Sequence, residues 1–313
     1  MLDAAQLIIT PLLYVNDPAK RLFWMHILGS VVLAAWYFRA ESPGLGPAAL
    51  ARRLLCRKYW WNASTRIDYA LLFFNAVLKL VVFIPMLGGQ LGIALITARV
   101  LHLHVLDAPQ ISAGPIFVSL SFTLVAFVFD DATRFLTHLA MHRNPFLWRI
   151  HRLHHSATTL TPFTVFRTHP LEGLINYLRS IVTLGLISGV FIWGFGAQLQ
   201  VWDILGVNAL GFLLTLAGSN LRHSHIPLGF GSFERYIISP AQHQLHHSID
   251  HGHGNLGAYL ALWDRWNKTF IWGSSAHNLS FGLNDREEAA LPGGVCSVSD
   301  FPRQPHISNN ILN

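Results

Sequence analysis

Five histidines lie within eighteen residues in the stretch His138-Leu-Ala-Met-His142 and His151-Arg-Leu-His154-His155. A second dense stretch contains Arg222-His223-Ser-His225 and His243-Gln-Leu-His246-His247. On a helix, His-x-x-x-His places two imidazoles one turn apart on one face. His-x-x-His-His adds a third ring beside such a pair. The repeated spacing predicts a multi-histidine metal site.

The composition indicates an integral membrane protein. Hydrophobic residues make up 52% of the 313 residues and charged residues only 12%, and the mean hydropathy is +0.38. So few charges cannot cover a soluble surface of this size, and the apolar runs are too many for one core. Only two cysteines, Cys56 and Cys296, are present. This number excludes a disulfide framework, a thiolate zinc site and an iron–sulfur cluster.

Apolar runs predict about four to five transmembrane helices arranged in hairpins. The expected spans are 23–40, 68–87, 115–136, 174–195 and 203–219. Residues 90–107 are also apolar but contain Arg99, His102 and His104. They form either a further span or an amphipathic helix at the interface, and the interfacial helix is favoured because it keeps the flanking basic loops on one side. We therefore expect an all-α integral membrane protein with a cytoplasmic helical cap that carries a dimetal site.

The chain divides into three predicted regions. Residues 1–114 are an N-terminal transmembrane and interfacial region, 115–275 a histidine-bearing catalytic domain, and 276–313 an irregular tail rich in turn-forming residues. No cleavable signal peptide is expected, because no basic segment precedes an apolar core at the N-terminus.

The net charge of +6 does not indicate a nucleic-acid partner. The basic residues lie between the apolar runs instead of forming a stripe on a folded domain. They are Arg52, Arg53, Arg57, Lys58 and Arg66, and then Arg143, Arg149, Arg152 and Arg167. Positive charges that flank spans mark the cytoplasmic side, so we expect a multi-pass protein whose metal site is cytoplasmic.

The number of clustered histidines predicts two metal ions. The nine candidates are His138, His142, His151, His154, His155, His223, His243, His246 and His247. Nine ligands are too many for one metal and suit two metals with four or five ligands each. No Asp or Glu occurs between Asp131 and Glu172, so the ligand set is neutral, which is tolerable beside a bilayer.

The order and context of these motifs resemble the fatty acid hydroxylase/sterol desaturase superfamily of membrane di-iron oxygenases. The resemblance rests on the three histidine motifs, on Asp131 before the first, and on Leu147-Trp148-Arg149 before the second. It also rests on His169-Pro170-Leu171-Glu172 and on Ser239-Pro240 before the third motif. It covers about residues 115–272 and is specific there.

The resemblance implies which residues act at the site. The eight motif histidines would bind two iron ions, and a further ligand would be His223 or His225, with His223 ranked first. Asn220 would act through a water, and Asp131 would orient a ligand imidazole, unless it pairs with Arg134. His169 is expected to have a supporting role, and His251 and His253 are expected in a loop over the site.

The implied activity is hydroxylation, desaturation or oxidative demethylation of an unactivated C–H bond in a lipid or sterol-like substrate, with O2 as co-substrate. No haem, flavin or cysteine-cluster motif is present, so a separate ferredoxin, cytochrome or reductase would supply electrons. A histidine-lined metal transporter, a zinc-dependent hydrolase and a non-catalytic metal-binding membrane protein are the alternatives. The transporter predicts histidines within the spans, and the hydrolase predicts a Glu beside a histidine pair.

Overall fold

The computed structural model describes residues 9–105, 113–196, 203–204, 207–276 and 279–283. The regular secondary structure of these residues is α-helical, apart from short 3-10 and π segments and one antiparallel pair of two-residue strands, β1 (Asp203–Ile204) and β2 (Val207–Asn208). The α-helices are α1 (Trp24–Glu41), α2 (Pro47–Leu54), α3 (Arg57–Trp60), α4 (Ala63–Leu78), α5 (Ile84–Leu87), α6 (Gln90–His104), α7 (Pro115–Arg143), α8 (Pro145–His155), α9 (Pro170–Phe195), α10 (Ala209–Leu216), α11 (Pro240–His247) and α12 (Leu262–Asn267). The predicted all-α class is confirmed. Most of the predicted tail, 276–313, lies outside the described residues.

Three helical stretches of the described chain are long and apolar enough to cross a membrane. They are Ala63–His104, Pro115–Arg143 and Pro170–Phe195, with hydropathies of 2.3, 1.6 and 1.7. The predicted spans 115–136 and 174–195 fall in the second and third. The first contains 68–87 and, as far as His104, most of 90–107. It bends at Gly88, whose φ of 68° is a left-handed conformation that favours glycine.

Two predicted spans differ from the structure. Residues 24–41 do form helix α1, but α1 is not among the three stretches. Among the described residues of the run 203–219, only α10 is α-helical, with eight residues. At 1.5 Å per residue it is about 12 Å long, too short for a hydrocarbon core of about 30 Å. Hydropathy measures the apolar content of this run but does not detect the strand pair within it.

Helix α6 packs along the candidate span α9 instead of lying apart from the bundle. A Cβ added at Gly185 would lie 2.7 Å from Ile93 Cβ, and one at Gly189 would lie 2.5 Å from Thr97 Cβ. Small residues four apart let two helix backbones approach closely. Helix α6 therefore belongs to the helical bundle, whereas the sequence favours an interfacial position for 90–107, because hydropathy does not show which helices pack together.

Helices α7 and α9 run in opposite directions. The Phe122 ring packs against Phe191 with centroids 5.2 Å apart, while Arg179 Nη1 donates to Asp130 Oδ1 at 2.7 Å. The C-terminal end of α7 and the N-terminal end of α9 thus lie on the same side. Helix α8 connects them there, and both histidine stretches meet at this end.

A buried ion pair fixes the loop after α8 to α4. Arg167 Nη1 donates to Asp68 Oδ1 at 3.0 Å, and Arg167 Nε donates to the Leu153 carbonyl oxygen near the end of α8. The Asp68 carboxylate also accepts from Thr164 Oγ1 at 2.8 Å. The guanidinium therefore joins the histidine helix α8 to the first candidate span.

Candidate metal centre

Local sequence signals start the short histidine helices at defined residues. Asn144 caps α8 by accepting from the backbone N–H groups of Phe146 and Leu147, and Pro145 occupies the first helical position. Ser239 caps α11 in a capping box with Gln242, again followed by proline. These caps fix the registers in which the histidines of both helices point into the protein.

The structure brings nine of the ten predicted metal ligands into two adjacent groups. The first group is His138, His142, His151, His155 and His246, and the second is His154, His223, His243 and His247. Within each group, one ring nitrogen of every residue lies within 4.8 Å of the others. The division into five and four agrees with the ligand numbers expected from the sequence for two ions.

Backbone and carboxylate acceptors fix the tautomers of three rings in the first group. His138 Nδ1 lies 2.8 Å from the Leu256 carbonyl oxygen, His246 Nδ1 2.9 Å from that of Gly254, and His151 Nδ1 2.9 Å from Glu172 Oε1. Because a carbonyl or carboxylate oxygen only accepts, each Nδ1 carries the proton and donates. Each Nε2 is therefore left with a free lone pair, the form that binds a metal.

Facing nitrogen atoms support a cation in each group. His138 Nε2 lies 3.1 Å from His151 Nε2, and with both rings protonated at Nδ1 this contact places two lone pairs together. In the second group His223 Nε2 lies 3.0 Å from His247 Nε2 and 3.1 Å from His243 Nε2. Nitrogens about 2.1 Å from one ion at angles of about 90–110° are about 3.0–3.4 Å apart, so the rings fit shared metal ions.

Several buried ring nitrogens have no hydrogen-bond partner among the described residues. They include both nitrogens of His142 and Nε2 of His155 and His246. A buried polar atom left without a partner is costly. A metal ion in the first group would satisfy Nε2 of His155, Nε2 of His246 and one of the two nitrogens of His142.

Burial keeps the clustered histidines neutral. It lowers the pKa of His151 and of His154 to about 3, and it lowers the pKa values of His155, His223, His246 and His247 well below the usual range. Neighbouring histidines lower several of these values further. Neutral imidazole is the metal-binding form, so the rings are prepared to bind cations near neutral pH.

Two buried carboxylates hold the loop that supplies the Gly254 and Leu256 carbonyls. Asp264 accepts from the Leu256 and Gly257 N–H groups at 2.7 Å each. Asp131 accepts from the Tyr259 and Leu260 N–H groups and from Trp263 Nε1, each at 2.9 Å. The position of Asp131 therefore differs from the sequence prediction. Asp131 hydrogen-bonds neither a predicted ligand imidazole nor Arg134. It holds the loop that orients His138 instead. Arg134 pairs with Asp130 instead, at 2.8 Å.

Two other predicted residues lie outside both histidine groups. The ring of His225 packs on Tyr59 with centroids 4.4 Å apart and on Phe38 at 6.0 Å. Asn220 Nδ2 donates to the Arg21 carbonyl oxygen at 2.9 Å. His225 is displaced because it follows the 3-10 helix Ser219–Arg222 in irregular backbone, where two residues along the chain do not share one face.

The remaining histidines have supporting positions. His169 caps α9 by accepting from the Leu171 N–H at 3.2 Å. His251 Nδ1 lies 3.3 Å from Ser248 Oγ, and the ring of His253 lies 6.3 Å from that of His142.

A cavity of about 650 Å³ opens beside both groups. His138 and His151 of the first group and His154, His223 and His243 of the second line it. Apolar side chains of α4, α7 and α9, namely Leu72, Ala76, Met141 and Ile181, complete that lining together with polar residues. A ligand in this cavity would lie against the histidines of both groups.

A comparison with protein families identifies the histidine-bearing part of the chain. Residues 123–269 match the model of the family described as fatty acid hydroxylase. The matched residues make up a little under half of the chain, and over them the chain is similar to that family. The match confirms the resemblance seen in the histidine motifs.

Curated proteins similar to this chain come from plants and animals. The chain is 25% identical over 174 residues to the very-long-chain aldehyde decarbonylase GL1-9 of Oryza sativa subsp. indica, covering 54% of this chain and 62% of the relative. It is 23% identical over 198 residues to the lathosterol oxidase of Rattus norvegicus, covering 58% and 57%. The chain thus spans about three fifths of these relatives. No solved structure matches.

The sequence does not reveal three acceptors that orient histidine rings of the first group. Glu172 is visible in the sequence only as part of a motif, and the carbonyls of Gly254 and Leu256 carry no side-chain signal. For Glu172 a signal existed: it is an acidic residue in the first turn of an apolar helix, where a buried carboxylate requires a partner.

Proposed function

We propose that the chain is a membrane-bound di-iron oxygenase that uses O2 and external electrons to hydroxylate or desaturate an unactivated C–H bond of a lipid or sterol-like substrate. The family match and the names of the relatives, an aldehyde decarbonylase and a lathosterol oxidase, support an oxidoreductase that acts on lipids.

The observation that carries the proposal is the way consecutive histidines divide between the two groups. His154 and His155 are neighbours in the chain, yet His154 belongs to the second group and His155 to the first. His246 and His247 divide in the same way, with His246 in the first group. Since each pair serves both groups, two bound ions would be close neighbours, as a metal pair acting on one O2 must be.

The ligand chemistry supports iron. The donor set consists of neutral imidazoles, which suit iron, zinc, copper and nickel, and the family favours iron among these. Two irons would supply the reduction of O2 and the oxidation of the C–H bond. Leu256, Gly254 and Glu172 would hold the ligand rings in the required tautomer, as oriented supports do at other metal sites.

The substrate would reach the irons through the 650 Å³ cavity. Its apolar lining by Leu72, Ala76 and Ile181 comes from α4 and α9, two of the stretches able to cross a membrane. A lipid could therefore enter from the bilayer and place one carbon beside the histidines. The walls would position that carbon and exclude water from the reaction.

Electrons would come from a separate acidic donor protein on the cytoplasmic side. Arg52, Arg57, Lys58, Arg143 and Arg149 are exposed. Arg149 lies on α8, which carries three of the ligands, so a donor bound there would be close to the metals. Basic residues facing an acidic partner speed association and orient it.

Growth under ¹⁸O2 tests the activity. Lipids from cells that express the chain should contain ¹⁸O-labelled alcohols or additional double bonds that are absent from cells expressing His243→Ala. His225→Ala is the matched control, since His225 lies outside both groups, and it should give the wild-type products. Identical lipids from wild type and His243→Ala, with both proteins present in the membrane, would refute the oxygenase.

A further inference from the structure

A basic junction lies where the cavity beside the metal groups meets a second cavity. The second cavity, of about 910 Å³, lies between α6, α7, α9 and α10 and is largely apolar, with Phe122, Phe127 and Phe212 in its wall. Lys20, Arg21 and Arg134 line both cavities. About 43% of the Arg134 side chain is accessible, so its guanidinium is open to a ligand.

Positive charge exceeds negative charge around the metal-side cavity. Six basic residues line it, Lys20, Arg21, Lys79, Arg134, Arg179 and Arg222, against one carboxylate, Glu172. An enclosed excess of charge attracts ions of the opposite sign strongly, because low-dielectric walls concentrate the field.

Two of these arginines lack a carboxylate partner among the residues that the structure describes. Arg21 Nη1 donates to the Ser219 carbonyl oxygen at 3.1 Å. Arg222 donates from Nη1 and Nη2 to the Ala258 and Ile238 carbonyl oxygens, and its Nε has no partner. Carbonyls satisfy some N–H groups but do not neutralise a buried charge.

The nearby carboxylates already have partners. Asp130 accepts from both Arg134 and Arg179, at 2.8 and 2.7 Å. Asp131 binds the loop amides, and Glu172 binds His151. In the part of the chain that the structure describes, no carboxylate is therefore a direct counter-ion for Arg21 or Arg222.

Tyr259 reports the positive field at the junction. The Arg222 guanidinium carbon lies 5.4 Å from the centre of the Tyr259 ring. Burial raises the pKa of Tyr259, but the charges of Arg21 and Arg134, a hydrogen bond between Tyr259 and Thr215, and the charge of Arg222 together lower it more, so the net pKa is lowered. An anion at this place would experience the same attraction.

The junction is close to both metal groups. Arg222 directly precedes His223 of the second group, and Arg134 lies one helical turn before His138 of the first. A charged group held by these arginines would lie at a fixed distance from the metals. That distance would determine which carbon of the ligand faces them.

We propose that Arg21, Arg134 and Arg222 bind the carboxylate or phosphate of an anionic amphiphile, whose apolar part lies in the adjoining cavities. This proposal rests on the proposed oxygenase function and specifies its substrate class. Asn220 then has a positioning role, because its side chain holds the backbone of Arg21.

Binding of radiolabelled dodecyl phosphate to full-length protein in neutral detergent tests the proposal. Unlabelled dodecanoate should displace it at concentrations at least roughly tenfold lower than dodecanol does, since charge-assisted hydrogen bonds give this preference. Arg21→Gln should weaken dodecyl phosphate binding roughly tenfold, and Arg21→Lys should weaken it less. Arg39→Gln, which removes an exposed arginine at the end of α1, should bind as wild type does.

Three outcomes would overturn the proposal. They are equal displacement by dodecanol and dodecanoate, wild-type affinity in Arg21→Gln, and displacement by inorganic phosphate as effective as that by dodecanoate, which would assign the junction to a free anion. The competition series on wild type decides the matter if Arg21→Gln does not fold. Iron content measured on the same samples separates the two proposals: two irons without an anion preference refute only the anionic substrate, and anion binding without iron refutes only the oxygenase.

Discussion

Glu172 Oε1 accepts a hydrogen bond from His151 Nδ1 at 2.9 Å, which links the first turn of an apolar helix to a ring of the first histidine group. Both side chains are buried, at 7% and 4% exposure. This contact forces the His151 Nε2 lone pair toward His138. The carboxylate therefore contributes to the metal centre without lying in either ligand group.

Glu172→Ala should weaken metal binding roughly 10- to 100-fold, as loss of an orienting partner does at other metal sites. The measurement is the chelator concentration that removes half of the iron. Glu172→Gln is the matched control, because its amide oxygen still accepts from His151. It should lose iron at nearly the wild-type concentration. Equal retention by wild type and Glu172→Ala would show that the contact does not support the metal.

Asp131→Ala should loosen the loop over the centre without removing a ligand. Three buried donors, the Tyr259 and Leu260 N–H groups and Trp263 Nε1, would lose their acceptor, at a cost of at least about 2 kcal/mol in the free energy of unfolding. Hydrogen exchange should accelerate in residues 256–263 and stay unchanged in α8. Unchanged exchange in 256–263 would be inconsistent with the role given to Asp131.

Acid should destabilise the metal-free protein. An unfolded histidine titrates near pH 6.5, whereas burial lowers the pKa of His151 and His154 to about 3. Between these values the unfolded chain binds more protons than the folded chain, so the free energy of unfolding falls as the pH falls. Melting temperatures of chelator-treated protein should therefore decrease steadily from pH 7 to pH 4. A constant melting temperature over this interval would contradict the neutral histidine groups.

Gly189→Ala should separate α6 from α9. The added Cβ would lie 2.6 Å from the Ala94 carbonyl oxygen and 2.5 Å from Thr97 Cβ, distances that require a helix to move, at about 1–3 kcal/mol. Gly194→Ala, on the same helix, would meet nothing within 4 Å and should be neutral or slightly stabilising. Thermal unfolding of both variants in one detergent makes the comparison, and equal melting temperatures would exclude tight packing at Gly189.

The sequence predicts much of the metal centre because helix geometry converts spacing into position. His138 and His142 lie one turn apart on α7, and both belong to the first group. The preference for His223 over His225 agrees with the groups in the structure. The division of His154 from His155 could not be predicted, because it depends on how α8 and α11 pack together.

The missed features are contacts that leave no pattern in the chain. The Gly254 and Leu256 carbonyls are present in any backbone, and only the fold directs them to His246 and His138. Likewise, hydropathy finds the run 203–219 but not its interruption before α10. Arg21 lies just over two hundred residues before Arg222, so their meeting at one cavity depends entirely on tertiary structure.

The most direct test is the iron content of freshly purified protein, measured by elemental analysis with Mössbauer spectroscopy. The account predicts two coupled irons per chain in wild type, their loss or uncoupling in His154→Ala, and wild-type content in His225→Ala, since His225 packs on Tyr59 outside both groups. One metal or none per chain in wild type that has not been exposed to chelator would contradict the di-iron centre.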